Sequence, residues 1–548
     1  MFSKKIIFSF TFLVAISSSL HAQIDTGKSQ TINITSSYKP ILKEPSKINF
    51  SGTQLLPLKD IPSLKYIIPK QNLYYAYSPI SLRPLALDID TSLSLGSRYH
   101  VKAGFGNLSA PYLNAAASFG DGKTSLITAT AYYNGAKGKD IQFQDFSRLG
   151  AKLAASYFTD KNEIFGNLAF NKQDWFKYGY DHTLYNFTKD EIKHAMQDVE
   201  FQFGLKNTKA NKAGINYRPT VNIGYFTNRD IVNELSVVAN VPIEKDISET
   251  WSASVLFNAD LTQQKVLIPS SATTINDNLI TVTPSFNHQS EQLKLKAGMT
   301  PAWNNGDFQL LPNISAEAKI ADNNFYVTAG WVGRFIKNSY ENLSTVNPYL
   351  LPAPNQANTR ETEYYGGIKA AIANNFIFNA KAGVVKYREA ALYINDTSGI
   401  GREQNFLITN ESKMRNFRIH TDISYMKENV FSLTGALTLN AYNGLKDNAR
   451  AWHTLPMEIT GAARWTPIKK LTLKSDLYLF SGTKYLLKGN TTRTNKGGTD
   501  LSLGASYDIK KNFGLWMDVN NVLNDKYERW NRYQVYGLNF MGGIILRF

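Results

Sequence analysis

The carboxy-terminal run from Tyr536 to Phe548 alternates between two kinds of position, as a strand with two different faces does. One face carries Tyr536, Leu538, Phe540, Gly542, Ile544, Leu546 and Phe548, and the other carries Gly537, Asn539, Met541, Gly543, Ile545 and Arg547. An apolar strand with a free edge promotes aggregation in a soluble protein, whereas in a closed barrel it pairs with the first strand. The pattern therefore predicts the closing strand of a transmembrane β-barrel, with an edge strand of a soluble sandwich as the alternative.

Similar runs of about ten residues follow one another from Arg98 onward, as expected where lipid-facing and lumen-facing positions alternate. Outside the amino terminus there is no apolar run of about 18 residues, which excludes helical membrane spans. The clearest runs place Leu471, Leu473, Leu477 and Leu479 opposite Thr472, Lys474 and Asp476; Leu293, Leu295, Ala297 and Met299 opposite Lys294, Lys296 and Thr300; and Phe376, Phe378, Ala380 and Ala382 opposite Asn379 and Lys381.

Short polar breaks separate these runs in pairs, and we interpret them as turns at one end of the barrel. They fall at residues 121–123, 160–162, 207–212, 244–248, 289–292, 322–324, 374–375, 427–429, 469–470 and 510–512. About ten such turns imply about 22 strands, because n strands need n/2 − 1 turns at the periplasmic end. The weakly patterned stretch 233–241 is open to a second interpretation, as loop rather than strand.

Longer connections at the other end are predicted to be extracellular loops. They span residues 136–145, 174–194, 263–277, 337–361, 389–414, 442–454 and 483–497. Their tyrosines have two interpretations, a ligand-stacking surface or an aromatic girdle at the membrane interface. These tyrosines are Tyr178, Tyr180, Tyr185, Tyr340, Tyr349 and Tyr364, and the tryptophans assigned to the girdle are Trp175, Trp303, Trp331, Trp465 and Trp516.

The amino-terminal part of the chain has a different character. Residues 1–22 combine Lys4 and Lys5 with an apolar stretch and small residues, which predicts a secretory signal peptide. Residues 23–97 are rich in proline, which opposes regular sheet pairing, so we expect an extended periplasmic or lumenal segment ahead of a barrel at 98–548. Its apolar and aromatic side chains suit a segment that seals the lumen, and they include Ile32, Ile34, Leu73, Tyr74, Tyr75 and Tyr77.

Composition narrows the possible functions. The 548 residues carry a formal net charge of +16, but the basic residues are dispersed and the chain has a predicted signal peptide, which together argue against nucleic acid as a partner. Lipopolysaccharide phosphates or anionic solutes fit this charge better. The chain contains no cysteine, which excludes disulfides, thiolate metal sites and a lipid anchor on cysteine.

Catalytic chemistry is not indicated. The seven histidines include no pair at a metal-ligand spacing, and His182 and His194 are interpreted as surface histidines of one polar loop. A hydrolase site built on His100, His288 or His420 is a weak alternative. We expect no catalytic, metal or cofactor site, and no enzyme activity.

The last hairpin resembles that of TonB-dependent receptors. The resemblance rests on the run Asn520, Asn521, Val522, Leu523, Asn524, Asp525, Lys526 and Tyr527, on Trp530, Tyr533 and Gly537, and on the final Leu546, Arg547 and Phe548. It implies an integral outer-membrane barrel of a diderm, Gram-negative-type bacterium, surrounded by outer-membrane lipid and lipopolysaccharide. Gly543, Leu546 and Phe548 also look like the signal that the outer-membrane barrel-assembly machinery reads.

The chain departs from that family at its amino terminus, because residues 23–97 are too short and proline-rich for the family's plug domain. Three interpretations follow for a barrel whose wide lumen needs a seal. The first is a receptor-like uptake barrel without a full plug, the second is a structural subunit of an outer-membrane complex sealed by loops or partners, and the third is a passive porin. A surface lipoprotein is an expected partner under the first two.

Overall fold

The structure is a computed structural model that describes residues 97–548 apart from 229–230, 269–270, 322–323, 353–356, 373–374 and 399–400. The predicted signal peptide lies outside the described residues. So does nearly all of the proline-rich segment, including Ile32, Ile34, Leu73, Tyr74, Tyr75 and Tyr77.

The described chain forms a closed antiparallel barrel of 22 wall strands. Strands β7 and β8 both pair with β9 and count as one wall strand, interrupted near Pro219, which has no amide to donate. The wall consists of β1 (Tyr99–Gly106), β2 (Ala110–Gly120), β3 (Ser125–Lys137), β4 (Asp145–Phe158), β5 (Asn162–Phe176), β6 (Lys193–Asn207), β7 (Ile215–Tyr217) with β8 (Thr220–Asn228), β9 (Val232–Asp246), β10 (Trp251–Ile268), β11 (Ser271–Gln289), β12 (Leu293–Asn304), β13 (Asp307–Ala321), β14 (Phe325–Ile336), β15 (Thr359–Ile372), β16 (Phe376–Arg388), β19 (Met414–Lys427), β20 (Phe431–Asn443), β21 (Met457–Ile468), β22 (Leu471–Phe480), β25 (Gly498–Lys510), β26 (Phe513–Asn520) and β29 (Asn539–Arg547).

The remaining elements belong to the loops. Three small hairpins pair β17 (Ala390–Asn395) with β18 (Phe406–Glu411), β23 (Lys484–Leu487) with β24 (Thr491–Thr494), and β27 (Glu528–Trp530) with β28 (Tyr533–Gln534). The helices of the described residues are Lys189–Ile192, Tyr340–Val346 and the 3-10 turn Lys488–Asn490. Within the described ranges, no helix has the length and apolar character needed to cross a membrane.

The barrel closes where the sequence pattern predicts. Strand β29 pairs with both β26 and β1, and Tyr99 and Phe548 exchange two backbone hydrogen bonds of 3.0 Å. The apolar positions Leu538, Phe540 and Phe548 face outward with 49%, 55% and 60% exposure, so the predicted alternation of the last strand is confirmed. Tyr536 is the exception, because it precedes β29 and is buried in the interior.

The two ends of the barrel differ as predicted. Each of the ten predicted turns joins neighbouring wall strands at one end, and the opposite end carries the long connections 138–144, 177–192, 337–358, 389–413, 444–456, 481–497 and 521–538. The predicted loop at 263–277 is wrong, because β10 and β11 stay paired as far as Ile268 and Ser271. The stretch 233–241 is strand, since β9 pairs with β10 along its length.

The outer surface is apolar and the inner surface polar, as in other transmembrane barrels. On β4 and β5, Leu153 and Leu168 are cross-strand partners, each 50% exposed on the outside, while the next pair along, Lys152 and Ala169, faces the lumen. Exposed apolar side chains of this kind surround the barrel on nearly every wall strand. Because a closed wall has no unpaired edge in the hydrocarbon layer, the arrangement is that of an integral outer-membrane protein.

Replacing Leu168 by arginine should destabilise the folded barrel by about 2–4 kcal/mol, because a charge in mid-membrane loses its hydration. Arginine at Lys152 should be nearly neutral, since it replaces one lumenal cation by another. Urea unfolding of the two variants in lipid vesicles measures the difference. Equal stability of both variants would contradict the assigned register.

Candidate functional site

Three tyrosines from three different loops meet at one point, which we call the tyrosine junction. Tyr178 follows β5, Tyr349 lies between β14 and β15, and Tyr533 lies between β26 and β29. The ring centroids of Tyr349 and Tyr533 are 3.4 Å apart in a stacked arrangement, and those of Tyr178 and Tyr533 are 5.0 Å apart, edge to face. All three side chains are almost fully buried.

The position of the junction follows from where its loops leave the wall. The three loops follow the fifth, thirteenth and twenty-first of the 22 wall strands, so eight, eight and six strands separate them around the ring. Loops spaced at roughly thirds of a closed ring can meet only over its interior. The tyrosine junction therefore lies across the lumen at the long-loop end of the barrel.

Hydrogen bonds from one loop to another hold the tyrosine junction together. Tyr178 Oη donates to the carbonyl oxygen of Gln534 at 2.9 Å, and Tyr533 Oη donates to that of Gln404 at 2.6 Å. Gln144 Nε2, from a fourth loop, donates to the same Gln534 carbonyl at 2.8 Å. Burial raises the pKa of Tyr533 well above its usual value, so its hydroxyl keeps the proton that it donates.

A larger loop core surrounds the junction. Phe406 of β18 packs edge to face on Trp530, with ring centroids 5.3 Å apart, and Tyr393 of β17 lies 5.0 Å from the same indole. His453 is also buried against Trp530, and burial holds the pKa of its imidazole well below the ordinary value, so the ring is neutral. The buried members of the loop core are Tyr178, Met196, Phe226, Val232, Val266, Tyr340, Leu343, Tyr349, Leu350, Tyr393, Phe406, Trp530 and Tyr533.

The short helix Tyr340–Val346 extends from its loop towards distant wall strands. Ser339 caps its first turn by accepting the amide of Asn342 at 3.3 Å. The carboxylate of Glu234, buried on β9, accepts the amide of Glu341 at 3.3 Å. A wall strand thus satisfies a helix amide that would otherwise lack a partner.

Further contacts hold the same loop against the wall. Tyr340 is fully buried and accepts a hydrogen bond from Asn228 of β8. Lys337 Nζ forms ion pairs with Asp260 at 3.3 Å and with Asp277 at 3.2 Å, on β10 and β11. The loop is therefore anchored on wall strands several positions away from the two that it connects.

Two cavities lie between this helix and the wall. The larger, of about 330 Å³, is lined by side chains from six wall strands and the helix, among them Tyr112, Tyr132, Arg148, Gln173, Trp175, Asp198 and Glu341. The smaller, of about 230 Å³, is lined mainly by polar and charged groups, and the charged ones are Asp198, Glu200, Glu234, Asp260, Lys337 and Glu341. Burial, and next the charge of Glu234, raise the pKa of Glu341 to about 8.

Charged side chains also pair across the lumenal face of the wall. Glu361 on β15 contacts Arg334 at 3.1 Å and Arg418 at 3.7 Å, and Glu363 contacts Lys381 at 3.5 Å. The prediction that Lys381 faces away from lipid is confirmed. A buried charge is costly unless it is paired with an opposite charge. These ion pairs therefore explain how the wall strands can contain buried charged side chains.

The tryptophan assignments are correct in part. Trp303, Trp331 and Trp465 are exposed on the outer surface, as assigned. Trp175 and Trp516 are buried inside the barrel, so their assignment to the girdle is wrong. Trp516 lies under the ammonium of Lys102, 3.9 Å from the ring, and its Nε1 donates to the carbonyl of Ala103 at 3.1 Å.

The tyrosines of the predicted loops fall into two groups, one on the outer surface and one in the loop core. Tyr364 lies on the outer surface and stacks on Trp331, as the girdle interpretation predicts. Tyr178, Tyr340 and Tyr349 are buried in the loop core, where they are neither at the membrane interface nor open to a ligand. Neither interpretation of the sequence predicted this position.

The residues of the predicted assembly signal take different places on the closing strand. Gly543 faces the interior, where a Cβ atom would collide with the carbonyl oxygen of Ala103. Leu546 pairs with Val101 across the closing seam, and Phe548 is exposed on the outside. Their recognition by the assembly machinery stays a prediction.

The described histidines occupy separate places in the fold. Within the described part of the chain, no three His, Asp or Glu side chains are grouped so as to hold a metal ion. His194 was predicted to be a surface residue and is instead buried at the start of β6, beside the amide of Asn228 at 3.2 Å. His420 contacts Thr438 and Asp422 on the wall.

No protein-family model matches the sequence, and no curated protein matches it. Solved structures do resemble the fold. The FrpB iron transporter from Neisseria meningitidis gives a TM-score of 0.65 at 11% identity, over 85% of this chain and 82% of that one. The ferripyoverdine receptor of the outer membrane of Pseudomonas aeruginosa gives 0.61 at 11% identity, over 83% and 72%.

The copper transporter OprC gives a TM-score of 0.61 at 11% identity, over 83% of this chain and 80% of that one. These neighbours are transporters and receptors rather than enzymes. The described part of this chain consists of barrel and loops and includes no separate plug domain. The chain therefore has the fold of the 22-stranded barrel of TonB-dependent receptors, integral proteins of the Gram-negative outer membrane.

Proposed function

We propose that this protein is a receptor-like uptake barrel of the outer membrane that works without a full plug and is closed at its long-loop end by its own loops. The observation that carries the proposal is the tyrosine junction, because it joins loops from three sides of the lumen. A passive porin needs an open lumen, whereas loops that meet over the lumen obstruct it. The likeness to iron and copper transporters supports uptake as the role.

The proposal orients the barrel with its short turns in the periplasm and its long loops outside, as in other barrels of this kind. Lipid and lipopolysaccharide surround the wall, and the assembly machinery reads the terminal strand during insertion. A surface lipoprotein is a candidate partner at the loops. As a second constriction we propose residues 23–97, which would enter the lumen from the periplasmic end. Each of the two narrows the lumen in part, so the loss of either increases the conductance.

Deleting residues 23–82 should leave the barrel inserted and heat-resistant, because the described wall strands form a closed ring of pairs among themselves. The deletion should increase both single-channel conductance in planar bilayers and outer-membrane permeability to large antibiotics. A matched full-length variant tests the side chains alone. It carries serine at Ile32, Ile34, Leu73, Tyr74, Tyr75 and Tyr77.

The conductance results distinguish a receptor-like barrel from a subunit of a complex and from a porin. If conductance of the purified protein stays unchanged, residues 23–97 are not the seal and the loops close the barrel alone. If the purified wild type already conducts as a stable open channel while the native membrane is tight, a partner seals it, which favours a subunit of an outer-membrane complex. An open channel in both settings would indicate a porin and contradict the proposal.

A further inference from the structure

Three basic side chains are clustered on the outer surface of the wall, at the long-loop ends of β15 and β16. Arg360 of β15 and Arg388 of β16 are direct cross-strand partners, and Lys386 shares one face of β16 with Arg388. Arg360 shares one face of β15 with Tyr364, which is 40% exposed on the outer surface. The Nζ atom of Lys386 lies 5.5 Å from the ring centroid of Tyr364, so both strands present these residues outward. We call Arg360, Lys386 and Arg388 the basic cluster.

The positive charges of the basic cluster repel one another. The Cβ atoms of directly opposed residues are about 4.5–5.5 Å apart, and like charges in this arrangement are destabilising. Arg360 donates a hydrogen bond to Gln309, whose neutral amide leaves the charge in place. Glu361, the next residue of β15, points to the lumen, where it pairs with Arg334 and Arg418. Within the described ranges no ion pair joins the basic cluster to a carboxylate, so the cluster can accept an anion.

A second group of basic side chains at the same end of the barrel is compensated. Lys172 of β5 lies opposite Leu149, which is 42% exposed on the outer surface, so this lysine also faces outward. Lys172 and Lys193 both pair with Asp174, at 3.8 Å and 3.7 Å. The surplus of positive charge is therefore a property of the basic cluster and is not shared by these outward lysines.

The basic cluster lies at the level of lipid headgroups. Tyr364 and Trp331 stack on the outer surface with ring centroids 5.5 Å apart, and aromatic residues of this kind mark the membrane interface. Arg360 is four residues beyond Tyr364, which is about 13 Å along the strand and, at a tilt of about 45°, about 9 Å along the membrane normal. Lys386 is opposite Thr362, halfway between them. Because the headgroup layer of one leaflet is about 5–8 Å thick, long basic side chains at these positions reach its phosphates.

A shallow groove on the lipid-facing surface lies directly below the aromatic pair. Ala329, Gly366 and Ala382 are cross-strand partners in one row across β14, β15 and β16, and all three are exposed on the outside. A Cβ atom at Gly366 would have no neighbour within 4 Å, so the row is open. The large rings of Trp331 and Tyr364 border it on the side of the long loops. A groove of this kind, below a site for an anion, fits an acyl chain and favours a lipid over a free anion.

We propose that the basic cluster binds a phosphate group of lipid A, the lipid of lipopolysaccharide, with one acyl chain against the row of small residues. The inference rests on the orientation in the proposed function, which places the long-loop end in the outer leaflet. Guanidinium groups bind phosphate oxygens through pairs of N–H donors, and such charge-assisted hydrogen bonds are strong. A phosphate between Arg360 and Arg388 also replaces their mutual repulsion by attraction to a shared anion.

Native mass spectrometry of the detergent-purified full chain, titrated with phosphorylated lipid A, tests the proposal. Wild type should bind lipid A, and the double variant Lys386→Gln with Arg388→Gln should bind it at least about tenfold more weakly, because two charge-assisted contacts are lost. The same lipid without its phosphate should bind equally weakly to both proteins. Lys172→Gln with Lys193→Gln is the matched control, since it removes the same charge from lysines that already have a carboxylate partner, and its binding should equal that of wild type.

Full binding of the dephosphorylated lipid to wild type, no binding of lipid A, or equal losses in the two double variants would overturn the inference. Displacement of lipid A by an equal concentration of inorganic phosphate or of phosphatidylglycerol would overturn the assignment to lipid A. Heat-modifiable migration on gels confirms that each variant is folded before titration. Because the conductance experiments need no lipid A, a barrel that is closed by its loops but does not bind lipid A would refute this inference alone. An open channel that binds lipid A would refute the proposed function alone.

Discussion

Replacing Tyr178, Tyr349 and Tyr533 together by alanine should increase the conductance of the barrel, because the loops then no longer narrow its long-loop end. The rings of Tyr178 and Tyr349 are a third edge-to-face pair, with centroids 6.4 Å apart. Each aromatic pair contributes about 0.5–1.5 kcal/mol beyond the burial of its area, so the three pairs together stabilise the closed loops by about 3 kcal/mol. A loss of about 3 kcal/mol shifts the ratio of closed to open loops more than about a hundredfold. Single-channel recording of the purified variant measures the fraction of time spent open.

A matched variant separates this effect from a general loss of tyrosine. Tyr157, Tyr225 and Tyr364 are exposed on the outside of the wall, at 51%, 47% and 40%. Their replacement by alanine should leave conductance unchanged, because none of them contacts the tyrosine junction. If both triple variants remain closed, the junction does not gate the lumen and the proposed function loses its main support.

Replacing Gly543 by valine should prevent stable closure of the barrel. Gly543 lies between Trp516 and Gly104 on three neighbouring strands, and Trp516 reaches across it to bond Ala103. A side chain at residue 543 would meet the backbone of Ala103 and Gly104, which cannot move without breaking strand pairing. We expect a loss of more than about 3 kcal/mol, the upper end of the cost of overpacking.

The glycine at residue 366 provides the control, because a Cβ atom there has no neighbour within 4 Å. Gly366→Val should fold and insert like the wild type. Refolding of both variants in detergent, without the assembly machinery, tests the cause directly. If Gly543→Val refolds normally in detergent but fails to insert in cells, Gly543 acts as part of the assembly signal rather than through closure.

The strand pattern determined much of the fold without the structure. The period of two along each strand follows from backbone geometry, so the lipid-facing and lumen-facing positions of Leu538, Phe540, Asn379 and Lys381 could be assigned correctly. Short polar turns are equally local, and counting them gave the 22 strands that the barrel has. The apolar run at the carboxy terminus predicted the closing strand, because such a strand needs a pairing partner on both edges and a closed barrel provides one.

Local patterns were less informative where two faces carry similar residues. Trp175 and Trp516 are apolar enough for lipid, yet both point inward, where Trp516 finds a hydrogen-bond acceptor in Ala103. The residues of β10 and β11 that the sequence predicts as loop include exposed polar side chains, such as Gln263 and Asn276, and a polar run of this kind also favours a loop. At such positions the residue type depends on what surrounds the strand, and the alternation along the strand does not reveal these surroundings.

The loop core was decided only by the tertiary structure. Tyr178 and Gln534, whose hydrogen bond holds two loops together, are 356 residues apart in the sequence. No periodicity links such positions, because loop residues are fixed by what they meet rather than by their own backbone pattern. The sequence by itself therefore determined the wall, since strand pairing is local and repetitive, while closure of the barrel around the wall brought distant loops together and created the junction and its cavities.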